Sequence, residues 1–380
     1  MGGAIGYGDP YLFALPVAAR FRAARYADGA ELRGRLRNAE QSPLDLWREQ
    51  FTFSQYRQDA ERIDRTLGVP VLVTQAFHRE GAFLLVGRRL GEPTETSVSS
   101  VLFGAEFERA SLNAPDKALT VGPKLVERRY HGPMIGFARR AIAFDTVSWL
   151  ADRQSLVDVP LGLEMEGTLS GGREDVSKRG AGFGSLWVGR MWTPTAQHLV
   201  TLDYWTSGYH IAGRKNFDDA SMRGLFGFYV RDHRTLYTLR AAAEKLVNPD
   251  PDVRALSTFD PTLPLIPNAY RLSENALAAE AERAQHIRWP IRAVGLDGAV
   301  FVASSLRTAS ALSQKDHFGV TAVGAGLRLV PNGTGSGTLR LDVLYPVLKN
   351  EAARHGFTFA VSVTPWLQAN RQREDPRLRQ

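Results

Sequence analysis

The chain has 380 residues, enough for one large domain or two ordinary ones, and its lack of cysteine excludes disulfide staples, thiol catalysis and thiolate metal sites. A formal net charge of +7 comes almost wholly from arginine. The arginines are scattered through alternating segments instead of gathered in a run, which speaks against nucleic-acid binding. No apolar run reaches the roughly 18 residues of a membrane-spanning helix. Barrel strands would leave no such run either, so the mean hydropathy of −0.22 does not discriminate.

At the start, Met1 to Ala4 lacks a basic segment followed by an apolar one, so no signal peptide is expected, and the chain is read as cytosolic or as a mature or truncated form. Asp9–Pro10 and Asp28–Gly29 mark tight turns, and a long polar loop is expected from Ala110 to Gly132. Further long polar stretches run from Gly171 to Gly180, Gly208 to Asp219 and Asn248 to Glu274, with short turns at Thr193–Thr195 and Asp232–His233. Between them the period is two: Val200, Leu202 and Tyr204 oppose Thr201 and Asp203, and Phe226, Phe228 and Val230 oppose Gly227 and Arg231. Thr321, Val323, Ala325, Leu327 and Leu329 alternate with Ala322, Gly324, Gly326 and Arg328. In the next strand Leu339, Leu341, Val343 and Tyr345 face one way, and Thr338, Arg340 and Asp342 the other, with Leu344 an exception. The last strand has Phe357, Phe359, Val361 and Val363 on one face and ends near Trp366; a polar, arginine-rich tail follows at residues 367–380.

An apolar face opposite a small or polar one fits either a soluble sandwich or a membrane barrel with lipid outside and water inside. Short turns alternating with long loops, and many strands with few helices to cover their edges, favour a closed antiparallel transmembrane β-barrel of about 16 strands over residues 1–366, with long extracellular loops. In a barrel, Glu280, Glu282, Arg328, Arg340 and Asp342 line the lumen as a charge cluster whose members pair with one another. Trp187, Trp192, Trp205, Tyr209, Trp289, Tyr345 and Trp366 sit near strand ends, where membrane barrels carry aromatic girdles.

Signals for catalysis are poor. Gly182-Phe183-Gly184-Ser185 misses the nucleophile-elbow spacing, and Gly333–Gly337 has the glycines of a phosphate loop without the lysine or the helix. The eight histidines are dispersed, so neither a metal nor a cofactor is expected, and the chain is read as no enzyme. Glu280 and Glu282 read as an arginine-bridged pair in preference to a general acid and base.

Four stretches resemble the barrel domain of the BamA/TamA-like outer-membrane superfamily, also called bacterial surface antigens. They are the hairpin-like Gly3–Phe21; Ser42–Trp47; Ala299–Val302 with Gly324–Arg328; and Phe357–Trp366, similar to that family's terminal assembly-signal strand. The resemblance implies an outer-membrane location, contact with outer-membrane lipid, and insertion or translocation of unfolded outer-membrane or secreted client proteins. It also implies that the chain begins one strand late and lacks the family's periplasmic modules. By the same resemblance, Phe357, Phe359, Val361 and Trp366 form the seam, and Tyr270 with Arg271 lies on an inward-folded loop. The family's loop-tip arginine has no counterpart at Asn268, with Arg271 the nearest substitute, and the usual aspartate of the late strand is replaced by Ala303–Ser304. These departures favour an alternative, a passive pore or membrane-anchor barrel without insertase activity.

Overall fold

A computed structural model describes residues 3–9, 17–26, 29–38, 44, 46–64, 71–113, 128–147, 157–215, 217–247, 260–266, 273–287, 294–309, 316–331, 338–349 and 356–364. The strands are β1 (Gly3–Asp9), β2 (Val17–Tyr26), β3 (Gly29–Asn38), β4 (Trp47–Asp64), β5 (Val71–Leu90), β6 (Ser97–Asn113) and β7 (Arg128–Ala141). A small hairpin, β8 (Phe144–Val147) and β9 (Val157–Pro160), interrupts the series. It resumes with β10 (Gly162–Glu174), β11 (Gly180–Thr195), β12 (His198–Ile211), β13 (Asp218–Asp232), β14 (Thr235–Val247) and β15 (Asn275–Ile287). The last four are β16 (Val294–Ala309), β17 (Asp316–Pro331), β18 (Thr338–Lys349) and β19 (Thr358–Thr364).

Each strand of the large sheet pairs antiparallel with its neighbour in sequence, β7 joining β10 across the hairpin, so 17 strands form one continuous meander. The count agrees with the expectation of about 16.

Side-chain polarity is inverted relative to a soluble protein. On β16, Phe301, Ala303, Ser305 and Arg307 are buried while Val300, Val302 and Leu306 on the opposite face are exposed. On β5 and β6 the exposed residues are Leu84, Phe103 and Phe107, whereas Arg79, Glu106 and Glu108 are buried. Soluble monomers rarely expose contiguous apolar patches beyond a few hundred Å². Here an apolar belt covers the outside of the meander and the charges face inward, which is the architecture of a transmembrane β-barrel. Among the described residues no helix is long and apolar enough to cross a membrane.

Two sequence expectations need correction. The asymmetry of turns and loops is not strict. Tyr26 and Gly29 pair across a two-residue link at the end of the barrel that carries the long loops, and the β8–β9 hairpin lies at the end with short turns. The Thr193 hydroxyl donates to Asp145 at 2.7 Å and ties that hairpin to β11. Nor do the aromatics form a simple girdle. Trp187 and Trp205 are directly opposite in register and share the inward face with Tyr209, because odd positions of β11 and β12 point inward. Tyr345 faces outward as a girdle residue does, while Trp289 and Trp366 lie outside the described residues.

Candidate functional site

The interior of β14–β18 holds the densest chemistry. Inward positions recur every second residue, and the register brings Arg240 opposite Glu280, Glu282 opposite Phe301, Gly326 opposite Asp342 and Arg328 opposite Arg340. The five charged residues singled out from the sequence thereby meet in one network. Arg340 grips Glu280 with two nitrogens, at 2.5 and 3.2 Å, and reaches Glu282 at 3.3 Å and Asp342 at 3.1 Å. Arg328 donates to Glu282 at 2.5 and 3.1 Å and also pairs with Asp342. Arg240, not singled out from the sequence, completes the set by pairing with Glu280. Three guanidinium groups thus face three carboxylates, and the forked geometry lets Arg328 serve two of them and Arg340 all three.

Phe301 lies across this network, with the Arg328 and Arg340 guanidinium carbons 5.5 and 5.4 Å from its ring centre. Gly324 and Gly326 make the packing possible. A Cβ on Gly324 would collide with the Phe301 ring, and one on Gly326 with the Asp342 carboxylate.

The other side of Phe301 meets a loop that enters the barrel. Between β14 and β15, residues 260–266 carry a turn of 3-10 helix, Leu263–Leu265. Leu265 and Ile266 are fully buried against Phe301, Ala303, Phe318, Val320, Ala322 and Leu344. This explains Leu344, the apolar residue on the wrong face of its strand: the loop gives it an apolar partner inside. Ala360 of β19 also packs on this cluster.

Asp260 anchors the loop. One carboxylate oxygen accepts from the Thr262 amide and hydroxyl at 2.9 and 2.7 Å; the other accepts from Ser305 at 2.6 Å and Arg307 at 2.8 Å. Both side chains of the Asp260–Arg307 pair are fully buried. Here the loop supplies the acid and the wall supplies the arginine. Sequence reasoning passed over this pair, although Ser305 and Arg307, sharing a face with Phe301 and Ala303, are the visible break in the pattern. Tyr270 and Arg271, expected at the loop tip, lie outside the described residues.

A second interior cluster spans the barrel. Glu108 pairs with Arg79 at 3.3 Å and Arg128 at 2.5 Å, and Asp219 of β13 reaches the same arginines at 3.3 and 3.7 Å. Arg128 also lies 4.9 Å from the Tyr209 ring centre.

The edges of the meander are β1 and β19. Among the described residues β1 pairs only with β2 and β19 only with β18. Phe357, Phe359 and Val361 face outward at 73, 80 and 73% exposure, and Ile5 of β1 reaches 75%, against 42% for Val302 in a strand with neighbours on both sides. Trp366, the fourth expected seam residue, lies outside the described residues.

No family model and no curated protein matches the chain. Among solved structures, CdiB from Acinetobacter baumannii is similar at 13% identity and a TM-score of 0.43, over 95% of this chain and 56% of that one. The crystal structure of BamA from Haemophilus ducreyi lacking POTRA domains 1–3 is similar at 10% identity and a TM-score of 0.44, over 95% of this chain and 70% of that one. The chain therefore spans little more than half the length of the CdiB chain. On its own geometry (a meander with an apolar exterior, a charged interior and a loop folded inward) the chain has the fold of a transmembrane β-barrel.

Proposed function

We propose that the protein resides in the bacterial outer membrane and inserts or translocates client polypeptides by templating their strands at the β1–β19 junction, without enzymatic chemistry. The supporting observation is the weakness of that junction. Among the described residues β1 pairs only with β2, and β19 only with β18. An edge in a bilayer leaves backbone amides and carbonyls without water, so the seam between two edge strands is both the easiest place to open and the place most in need of a partner strand. An incoming strand satisfies those groups by main-chain hydrogen bonding alone, which makes recognition independent of client sequence.

The chain has no native cysteine, so an engineered pair, one in β1 and one in β19, forms an unambiguous lock. In proteoliposomes the locked protein is expected to lose insertion of a model outer-membrane barrel and to regain it on reduction. Full activity with the seam closed would refute the templating reading. The alternative, a passive pore or anchor, predicts steady single-channel conductance or no client effect at all. The apolar packing of the Leu263–Ile266 turn against the wall weighs against an open conduit.

A further inference from the structure

We propose that the outward face of β4–β7, β10 and β11, at the end of the barrel with short turns, binds the headgroup phosphate of an anionic glycerophospholipid of the inner leaflet. Parity puts Arg88 of β5 on the same face as exposed Leu84, and Arg139 of β7 on that of exposed Ile135 and Phe137. Arg190 of β11 lies between exposed Leu163 and Leu202 on the flanking strands. All three therefore point away from the lumen. Two have a tryptophan alongside. The Arg88 guanidinium carbon is 5.3 Å from the ring centre of Trp47, its register partner on β4, and that of Arg190 is 5.4 Å from the ring centre of Trp192. Arg139 stands between these pairs, two strands from each, and its Nε has no hydrogen-bond partner among the described residues. Among those residues none of the three guanidinium groups pairs with a carboxylate, including Glu49, which is diagonal to Arg88 on β4.

The chemistry of this rim selects the ligand. Short turns mark the periplasmic end of an outer-membrane barrel, so these residues stand where the apolar belt gives way to the headgroups of the inner leaflet. A guanidinium there takes phosphate oxygens as acceptors, in the forked geometry that arginine offers a phosphate. Tryptophan favours the same boundary, and its ring holds a guanidinium beside it without neutralising the charge. Neighbouring arginines are two strands and two residues apart, about 12 Å by strand geometry, a gap that two long side chains close onto one headgroup. A zwitterionic headgroup brings its own ammonium into a patch that already carries three cations, whereas an anionic one does not. A free anion satisfies the arginines but leaves Phe137, Leu163 and Leu202 uncovered; an acyl chain covers them. The inference rests on the proposed membrane residence and is independent of client insertion.

The test titrates the whole chain, delipidated in a nonionic detergent, with phosphatidylglycerol or with phosphatidylethanolamine of the same acyl chains, and counts bound lipid by native mass spectrometry. Phosphatidylglycerol should bind saturably and at least about tenfold more tightly. The triple variant Arg88→Gln/Arg139→Gln/Arg190→Gln should lose that preference. Arg283→Gln, which removes an outward arginine at the same end of β15, should keep it. A photoreactive phosphatidylglycerol, used on the unmodified protein in nanodiscs, should crosslink to the short-turn ends of β4–β7, β10 and β11, which keeps the proposal testable if the triple variant does not fold. An undiminished preference in the triple variant, or crosslinks confined to other strands, would overturn the proposal. So would binding of inorganic phosphate as tight as that of the lipid, which assigns the arginines to a free anion. A protein that stays in aqueous solution without detergent removes the membrane reading and this inference together. A protein that needs detergent but shows no preference for phosphatidylglycerol strikes this inference alone.

Discussion

Replacing Asp260 with alanine should release the inward loop while leaving the barrel wall intact. The carboxylate has no exposed surface and accepts four hydrogen bonds, one of them from the fully buried guanidinium of Arg307. Removing one partner of a buried pair leaves an uncompensated charge and typically costs about 3–5 kcal/mol. At about 1.4 kcal/mol per decade, that shifts the docked-to-released ratio of the loop by roughly two to three and a half orders of magnitude. Ile266 has no exposed surface, and the chain has no other cysteine to react, so the labelling rate of an Ile266→Cys probe reports release. In folded protein that rate should track the released population. The probe should be labelled at least about a hundredfold faster in the Asp260→Ala background than with Asp260 in place. The double variant Asp260→Ala/Arg307→Ala should lose less than the sum of the two single changes, with a coupling of about 2–3 kcal/mol. Strict additivity of the two, or an unchanged rate in Asp260→Ala, would refute the claim that this pair holds the loop.

Other expectations follow from the same geometry. Arg340→Leu leaves Glu280, Glu282 and Asp342 crowded without their shared cation; it should lower the midpoint of heat-induced gel-mobility change by an amount equivalent to about 3–5 kcal/mol, with little sensitivity to salt. Phe301→Ala removes the ring between loop and charge network and should cost about 3–5 kcal/mol in equilibrium unfolding from lipid vesicles, with faster labelling of the Ile266→Cys probe as its second signature. Gly326→Val forces a side chain into the Asp342 carboxylate and should destabilise by about 1–3 kcal/mol or more, whereas Ala325→Val on the lipid face of the same strand should be near neutral. Val302→Arg places a charge on the outward face of the barrel wall and should cost about 2–4 kcal/mol if that position lies near the bilayer midplane; an unperturbed variant would argue against lipid on that face.

Strand parity was legible in the sequence to a considerable depth. The period-two pattern assigned Leu339, Leu341 and Val343 to one face and Arg340 and Asp342 to the other, and put Glu280 and Glu282 on a shared face. Parity is a local property of an extended backbone, so local information suffices for it. Partners are another matter. Glu280 and Arg340 are 60 residues apart, and which inward residues meet depends on register and on the curvature of the whole meander. The girdle expectation failed for a related reason: Trp187 and Trp205 lie mid-strand in β11 and β12, and facing is decided by parity, which for them and for Tyr209 is inward.

The alternating pattern by itself determined that this chain is built of strands with one apolar and one polar face. It left open whether the apolar face meets lipid or a dry core, because both arrangements impose the same period. Tertiary structure decided that by exposing the apolar side chains and burying the charged ones. It also decided what fills the interior. The Asp260–Arg307 pair and the apolar seat of Leu265 and Ile266 join a loop to strands far along the chain, and no local spacing encodes such a contact. Even the misplaced Leu344 was readable only as an irregularity until the loop it packs against came into view.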